Sequence, residues 1–262
     1  MSEAIPVFAT PGPYIRRVSV DRPWAWLASG WQDLIAAWRA SLAYGLALVG
    51  FSVVLTLGLA VGGWFYLVLP LAAGFMLVAP ILAVGLYEIS RRHGLGEAVD
   101  LPVALRAYKR NGVQLALMGL ALMLLHLAWV RIASLLFVLF FPQIESGPAQ
   151  LLDLLISGAS LPFLVVGTVI GAALAVIAFS VSAISIPMLL DQPISAPVAI
   201  ATSVVAVREN WRPMALWAAL IVVFTGVGMA TFYVGLAIAW PLVAHASWHA
   251  YRDLVTEAGA PS

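Results

Sequence analysis

The side chains able to do chemistry are few in this chain, and their spacing is the first thing to weigh. His245 and His249 stand at i and i+4, so on a helix both rings share a face, a spacing that can chelate a metal. Glu88 and Asp191 each close a long apolar run, and with the two histidines they make a candidate polar cluster at the mouth of a helical bundle. Trp248, Tyr251 and Arg252 surround the histidine pair and mark the stretch as an interfacial belt, so no metal is assigned. His126 and Arg131 lie inside an apolar run that starts at Val113. At ~1.5 Å per residue they sit ~20 Å and ~27 Å along it, within a hydrocarbon core ~30 Å thick. Arg131 is therefore close enough to the far boundary to snorkel to the headgroups. His126 reads as a neutral ring bonded to a neighbouring helix, with a ligand or proton-relay role as the alternative.

Other chemistries are excluded. The chain has no cysteine, so disulfides and thiolate sites are absent. His245 is only ~10 Å from its end of the helix against ~20 Å for His126, so the two cannot share a haem, and no cofactor is expected. Glu145 and Asp153 fall in an outer loop, and no acidic residue lies near the middle of an apolar run, which disfavours proton coupling through a midplane carboxylate. No nucleophile–base order and no phosphate-cradling glycine loop is present, so the chain does not read as an enzyme. Nothing marks it for nucleic acid.

The elements that must position these residues are membrane helices. Of 262 residues 63% are hydrophobic and 10% charged, too few charges to wet a soluble surface. Lipid must be the solvent for much of the chain. Apolar runs occupy 41–62, 64–88, 113–141, 161–190 and 213–248, and the last reads as two short spans turning near Ala230–Tyr233. The expected fold is all-α: a polytopic transmembrane helical bundle of six spans over 23–254, with tails at 1–22 and 255–262. The first tail is expected to be disordered or surface-lying, and Pro148–Ile156 to lie on the outer surface. Trp24, Leu27, Trp31, Leu34, Ile35 and Trp38 make one face of an amphipathic helix lying in the interface, and Trp24, Trp31, Trp38, Trp211 and Trp248 are the expected interfacial anchors. Gly58 with Gly62, and Gly167 with Gly171, read as small-residue packing pairs.

With six spans, every one of the 13 Lys and Arg except Arg131 falls on one side, and the opposite loops carry none. That side is cytoplasmic by the positive-inside rule, which puts both termini in the cytoplasm. A repeat is also visible. The stripe Leu27, Trp31, Leu34, Trp38 recurs as Ile200, Val204, Val207, Trp211, and more weakly as Leu101, Leu105, Tyr108, Gly112. Pro80 precedes Tyr87-Glu88 and Arg91 at the same offsets as Pro241 precedes Trp248-His249 and Arg252, and Pro187 similarly precedes the end of span 4. Three parallel units are expected, at 23–92, 100–191 and 196–254, each a cytoplasmic interfacial helix followed by a two-span hairpin.

PLAAGF at Pro70–Phe75, GLYEISRR at Gly85–Arg92, IPMLLD at Ile186–Asp191 and HASWHAYRDL at His245–Leu254 resemble the domain-of-unknown-function family 2189 of predicted bacterial integral membrane proteins. The resemblance runs from about Arg16 to Leu254. It implies a bacterial inner-membrane location and brings no activity or catalytic residue with it.

The leading functional expectation is a non-catalytic accessory or assembly protein of a membrane complex, with the bilayer and another membrane protein complex as partners. The alternative is a small-molecule or ion transporter built on the three units. Transport requires His126, Glu88, Asp191, His245 and His249 to face one water-accessible cavity. The accessory reading requires a packed interior and an exposed small-residue or aromatic groove.

Overall fold

The computed structural model describes residues 14–141 and 160–256, so Pro148–Ile156, with Glu145 and Asp153, lies outside the described residues. Helices dominate: α1 (Arg22–Ala36), α2 (Trp38–Val61), α3 (Val68–Leu82), α4 (Val84–Gly94), α5 (Leu101–Arg106), α6 (Gly112–Phe140), α7 (Leu161–Ser182), α8 (Ser185–Asp191), α9 (Ala196–Glu209), α10 (Trp211–Ala230) and α11 (Leu236–Leu254). Pro23, Pro102, Pro162 and Pro197 sit in first turns, where a missing N–H costs nothing.

Five segments are long and apolar enough to cross a membrane: Trp38–Val61, Phe65–Leu82, Gly112–Phe140, Leu161–Asp191 and Trp211–Ala230. The sixth expected span forms α11 but stands outside these five. His245, His249, Arg252 and Asp253 dilute its hydropathy, and most of its residues are buried by protein. It is the central helix, packed against α1, α2, α4 and α10. The chain turns ahead of it at Thr231–Gly235, where Phe232 and Tyr233 adopt φ of 53° and 69°. Such left-handed residues cost about 1–2 kcal/mol each. The Tyr233 hydroxyl lies 3.0 Å from Thr56 Oγ1 and helps to hold the turn.

The expected N-terminal tail is, from Tyr14 on, a structural element. β1 (Tyr14–Ile15) pairs antiparallel with β2 (Val255–Thr256), which brings the two ends of the described chain together.

The three short-helix-to-long-helix junctions have a common form. Ala37, Asn111 and Asn210 break the helix with (φ, ψ) of (−114°, 36°), (−137°, 52°) and (−116°, 36°), and a long apolar helix follows each. Arg39 lies over the Trp38 ring at 5.3 Å and Arg212 over Trp211 at 5.2 Å. Each short helix also packs against the returning helix of the preceding hairpin: α5 on α4, α9 on α7 and α8, and α1 on α11.

The returning helices differ in how they bend. The chain breaks at Ala83, after Pro80, and the Tyr108 hydroxyl donates to the Leu82 carbonyl there, 2.9 Å. It breaks again at Ala183–Ile184, before Pro187, where Ser203 Oγ accepts from the Ile184 N–H and donates to the Ser180 carbonyl. Through Pro241 the helix continues, but the proline leaves the Ala237 carbonyl without its helical donor. Gly45 of α2 packs its Cα against that carbonyl, so closely that a Cβ would collide with it.

The close helix contacts fall elsewhere than expected. Gly58 and Gly167 have nothing within reach of a Cβ, Gly62 meets only its own turn and the neighbouring Trp64 ring, and Gly171 alone of the four rests on another helix, at Trp129. Among the crowded glycines, Gly30 meets Ala246 and Gly45 meets Ala237, where α1 and α2 reach the backbone of α11, and Gly74 and Gly85 meet the His126 ring and the Tyr44 hydroxyl.

Candidate functional site

Asp33 is the centre of the main polar site. It faces inward from α1 because Trp26, Gly30 and Asp33 share a face one turn apart, and that face packs on α11. Its Oδ1 accepts from His93 Nδ1 at 2.5 Å and its Oδ2 from His249 Nε2 at 2.7 Å. Burial pushes the Asp33 carboxyl up, but hydrogen bonds from His249, Ser90 and His93 outweigh it and hold the group below the usual carboxylate range. Ser90 Oγ also lies 2.8 Å from His245 Nδ1, and Ser41 Oγ 2.9 Å from His245 Nε2. Every group is satisfied when Ser90 turns its proton toward Asp33 and accepts from Nδ1–H, leaving Nε2 to accept from Ser41. The result is one hydrogen-bonded chain across α1, α2, α4 and α11. It begins at the half-exposed His93 and ends at Ser41, which is fully buried.

The expected cluster of Glu88, Asp191, His245 and His249 is therefore divided. The two histidines do share a face and a network. Glu88, buried on α4, is held instead by Arg91 and Arg92 at 2.7 and 2.8 Å. Burial raises its carboxyl, and the hydrogen bonds of Arg91 and Arg92 bring it below the ordinary value. Asp191 accepts from the Tyr251 hydroxyl at 2.8 Å and from Arg252 at 3.1 Å. The split follows from α11 standing between α1 and α8: its His249 side meets Asp33 and its Tyr251 side meets Asp191. Among the described residues no group of three or more His, Asp or Glu is arranged to hold a metal ion.

Sequence reasoning passed over Asp33, Ser41, Ser90, His93 and Asp253. Asp253 is 7% exposed and takes Arg22 at 2.5 Å, Arg16, and the Trp26 indole N–H at 2.9 Å. The available signal was the second face of the first amphipathic helix, Trp26, Gly30 and Asp33, where a small residue precedes an acid. The aromatic stripe hid it. That stripe is itself divided, with Leu27 and Leu34 buried while Trp24, Trp31 and Trp38 are exposed. Trp211 is exposed as well. Trp248 is not an interfacial anchor, being 4% exposed and packed on Tyr251 with ring centroids 5.4 Å apart.

His126 Nδ1 bonds to the Gly74 carbonyl at 2.9 Å. Arg131 is exposed, with no ion pair among the described residues. His126 lines a cavity of about 370 Å³ between α2, α3 and α6. A second cavity, of about 540 Å³, lies between α3, α7, α10 and α11. Both are apolar, and none of Glu88, Asp191, His245 and His249 lines either. They follow a division of the long helices. α11 packs with α2 and α10, and α6 packs with α3 and α7. Phe75, 6.3 Å from Trp240 between ring centroids, bridges the two groups.

No curated protein and no solved structure matches the chain. The family resemblance is matched over a shorter stretch than Arg16–Leu254, leaving His245–Leu254 outside it. Residues 67–191 match the family model described as "Predicted integral membrane protein (DUF2189)", and this chain is a multi-pass helical integral membrane protein similar to that family.

Proposed function

We propose that the protein is a non-catalytic accessory or assembly protein of a membrane complex. It resides in the bacterial inner membrane with both termini in the cytoplasm, built from three units and crossing six times. One observation carries the reading: of the five groups a translocation path would expose together, Glu88, Asp191, His245 and His249 are closed against intramolecular partners and line neither cavity, while His126 alone lines one. What remains for recognition is an apolar surface with exposed aromatic and small residues.

The six crossings are supported by the pairing of β1 with β2, since ends that meet require an even number. The three units are supported by the matched junctions at Ala37, Asn111 and Asn210 and by the cyclic order in which α1, α5 and α9 dock. The orientation is supported by hairpin tips at Gly62–Trp64 and Thr231–Gly235 that carry no charge.

A transporter is the second reading, favoured by the two cavities between the groups of spans. Affinity purification in mild detergent, with identification of co-purifying proteins, separates the two. A stoichiometric membrane partner is the expected result. No partner, together with solute flux in proteoliposomes, would replace the accessory reading with the transporter.

A further inference from the structure

The ring of spans is closed at two seams and open at a third. α2 packs on α11, and α6 packs on α3, each a first span against the returning span of the preceding unit. By that order α10 belongs against α7, yet the two stand apart and the 540 Å³ cavity fills the seam. Alanine is the commonest residue of its apolar walls, and Val176 and Val222 on its rim are exposed, so it opens sideways. In a bilayer such a space is filled by hydrocarbon, because an empty one forfeits the dispersion contacts of its whole lining.

Size and charge identify the occupant. Along α7 the cavity runs from Ala172 to Ala183, roughly 16 Å at 1.5 Å per residue. A flexible acyl chain can lie along an apolar slot of that length. Trp211 lines the cavity at its cation-rich end, and Arg212 lies over that ring at 5.2 Å. Arg208 and Arg212 are exposed and have no ion pair among the described residues. Arg16, Arg17, Arg22, Arg91, Arg92 and Arg252, by contrast, all pair with carboxylates.

We infer that this seam is a binding site for an anionic phospholipid, its acyl chain in the cavity between α7 and α10 and its phosphate held by Arg208 and Arg212. The site is independent of the accessory reading, since it needs no partner protein.

The test uses the full chain, delipidated in mild detergent and titrated with phosphatidylglycerol or phosphatidylcholine, with bound lipid counted by native mass spectrometry. Phosphatidylglycerol is expected to bind more tightly than phosphatidylcholine. The double variant R208Q/R212Q weakens phosphatidylglycerol roughly thirtyfold, from the usual worth of two basic residues at an anionic surface, and brings it level with phosphatidylcholine. R106Q/K109Q, which removes two exposed cations of the preceding unit, leaves the preference intact. Ala219→Phe, placed in the cavity wall, lowers binding of both lipids while the protein still melts cooperatively. Equal binding of the two lipids by the unaltered protein overturns the proposal. So does an equal loss in R106Q/K109Q, which would show a diffuse surface charge. Protection of a cysteine at Val222 by a co-purifying protein, and not by lipid, would show that the seam belongs to a partner helix instead.

Discussion

At the residue scale the informative group is Asp33. A buried carboxylate is costly unless its lone pairs are taken up, and here His93, His249 and Ser90 take them up from two other helices. Because its folded-state affinity for protons is depressed, the stabilisation is complete above the ordinary carboxylate range. It disappears as pH falls through the lower, folded value, and Glu88 acts in the same sense. The stability difference between the unaltered protein and an Asp33→Asn variant, read from thermal melts in detergent, should therefore hold steady from neutral pH to about 5 and shrink below about 4. Asp33→Asn should lower stability at neutral pH by about 1–3 kcal/mol, since an amide cannot accept from both imidazoles, and should flatten the acid decline. An unchanged acid decline in that variant would remove Asp33 from the account.

At the element scale, α11 decides the architecture. It offers bare backbone to its neighbours: α2 meets the Ala237 carbonyl, freed by Pro241, through Gly45, and α1 meets Ala246 through Gly30. A methyl group at Gly30 would stand 2.6 Å from the Ala246 nitrogen, and neither backbone can yield. Gly30→Ala and Gly45→Ala should each cost about 1–3 kcal/mol, read as a lower melting temperature. Gly50→Ala on the same helix, with nothing within 4 Å, should be neutral or mildly stabilising. Equal effects at all three sites would mean that the contact with α11 is not what the glycines serve. Ser203 of α9 and Tyr108, just after α5, have a complementary task, since they satisfy backbone groups exposed where the preceding returning helix breaks.

At the scale of the whole molecule, the two ends of the described chain meet. β1 joins β2, and Asp253 gathers Arg16, Arg22 and Trp26 beside that strand pair. The absence of cysteine makes single-cysteine labelling unambiguous. Cysteines replacing Ser19 and Glu97 should react with a membrane-impermeant maleimide from one face of the bilayer, and one replacing the exposed Phe232 from the other. Ser19 and Phe232 reporting from the same side would break the six-crossing layout and the three-unit plan together.

What the residues determined unaided is what lipid and water select one helix at a time. Apolar runs of sufficient length make five helices that can cross, and the proline and glycine breaks place their ends. The turn expected near Ala230–Tyr233 lies at Thr231–Gly235 for the same local reason. Tertiary structure alone decided which polar groups meet. His249 can be placed on a helical face from spacing, but whether that face turns toward Asp33 or toward Asp191 depends on how α11 is rotated between its neighbours. That rotation is set by the backbone contacts at Gly30 and Gly45, contributed by segments some two hundred residues away in the chain. Trp248 shows the same dependence: an aromatic side chain suits an interface and a core equally well, and only the neighbours chose the core.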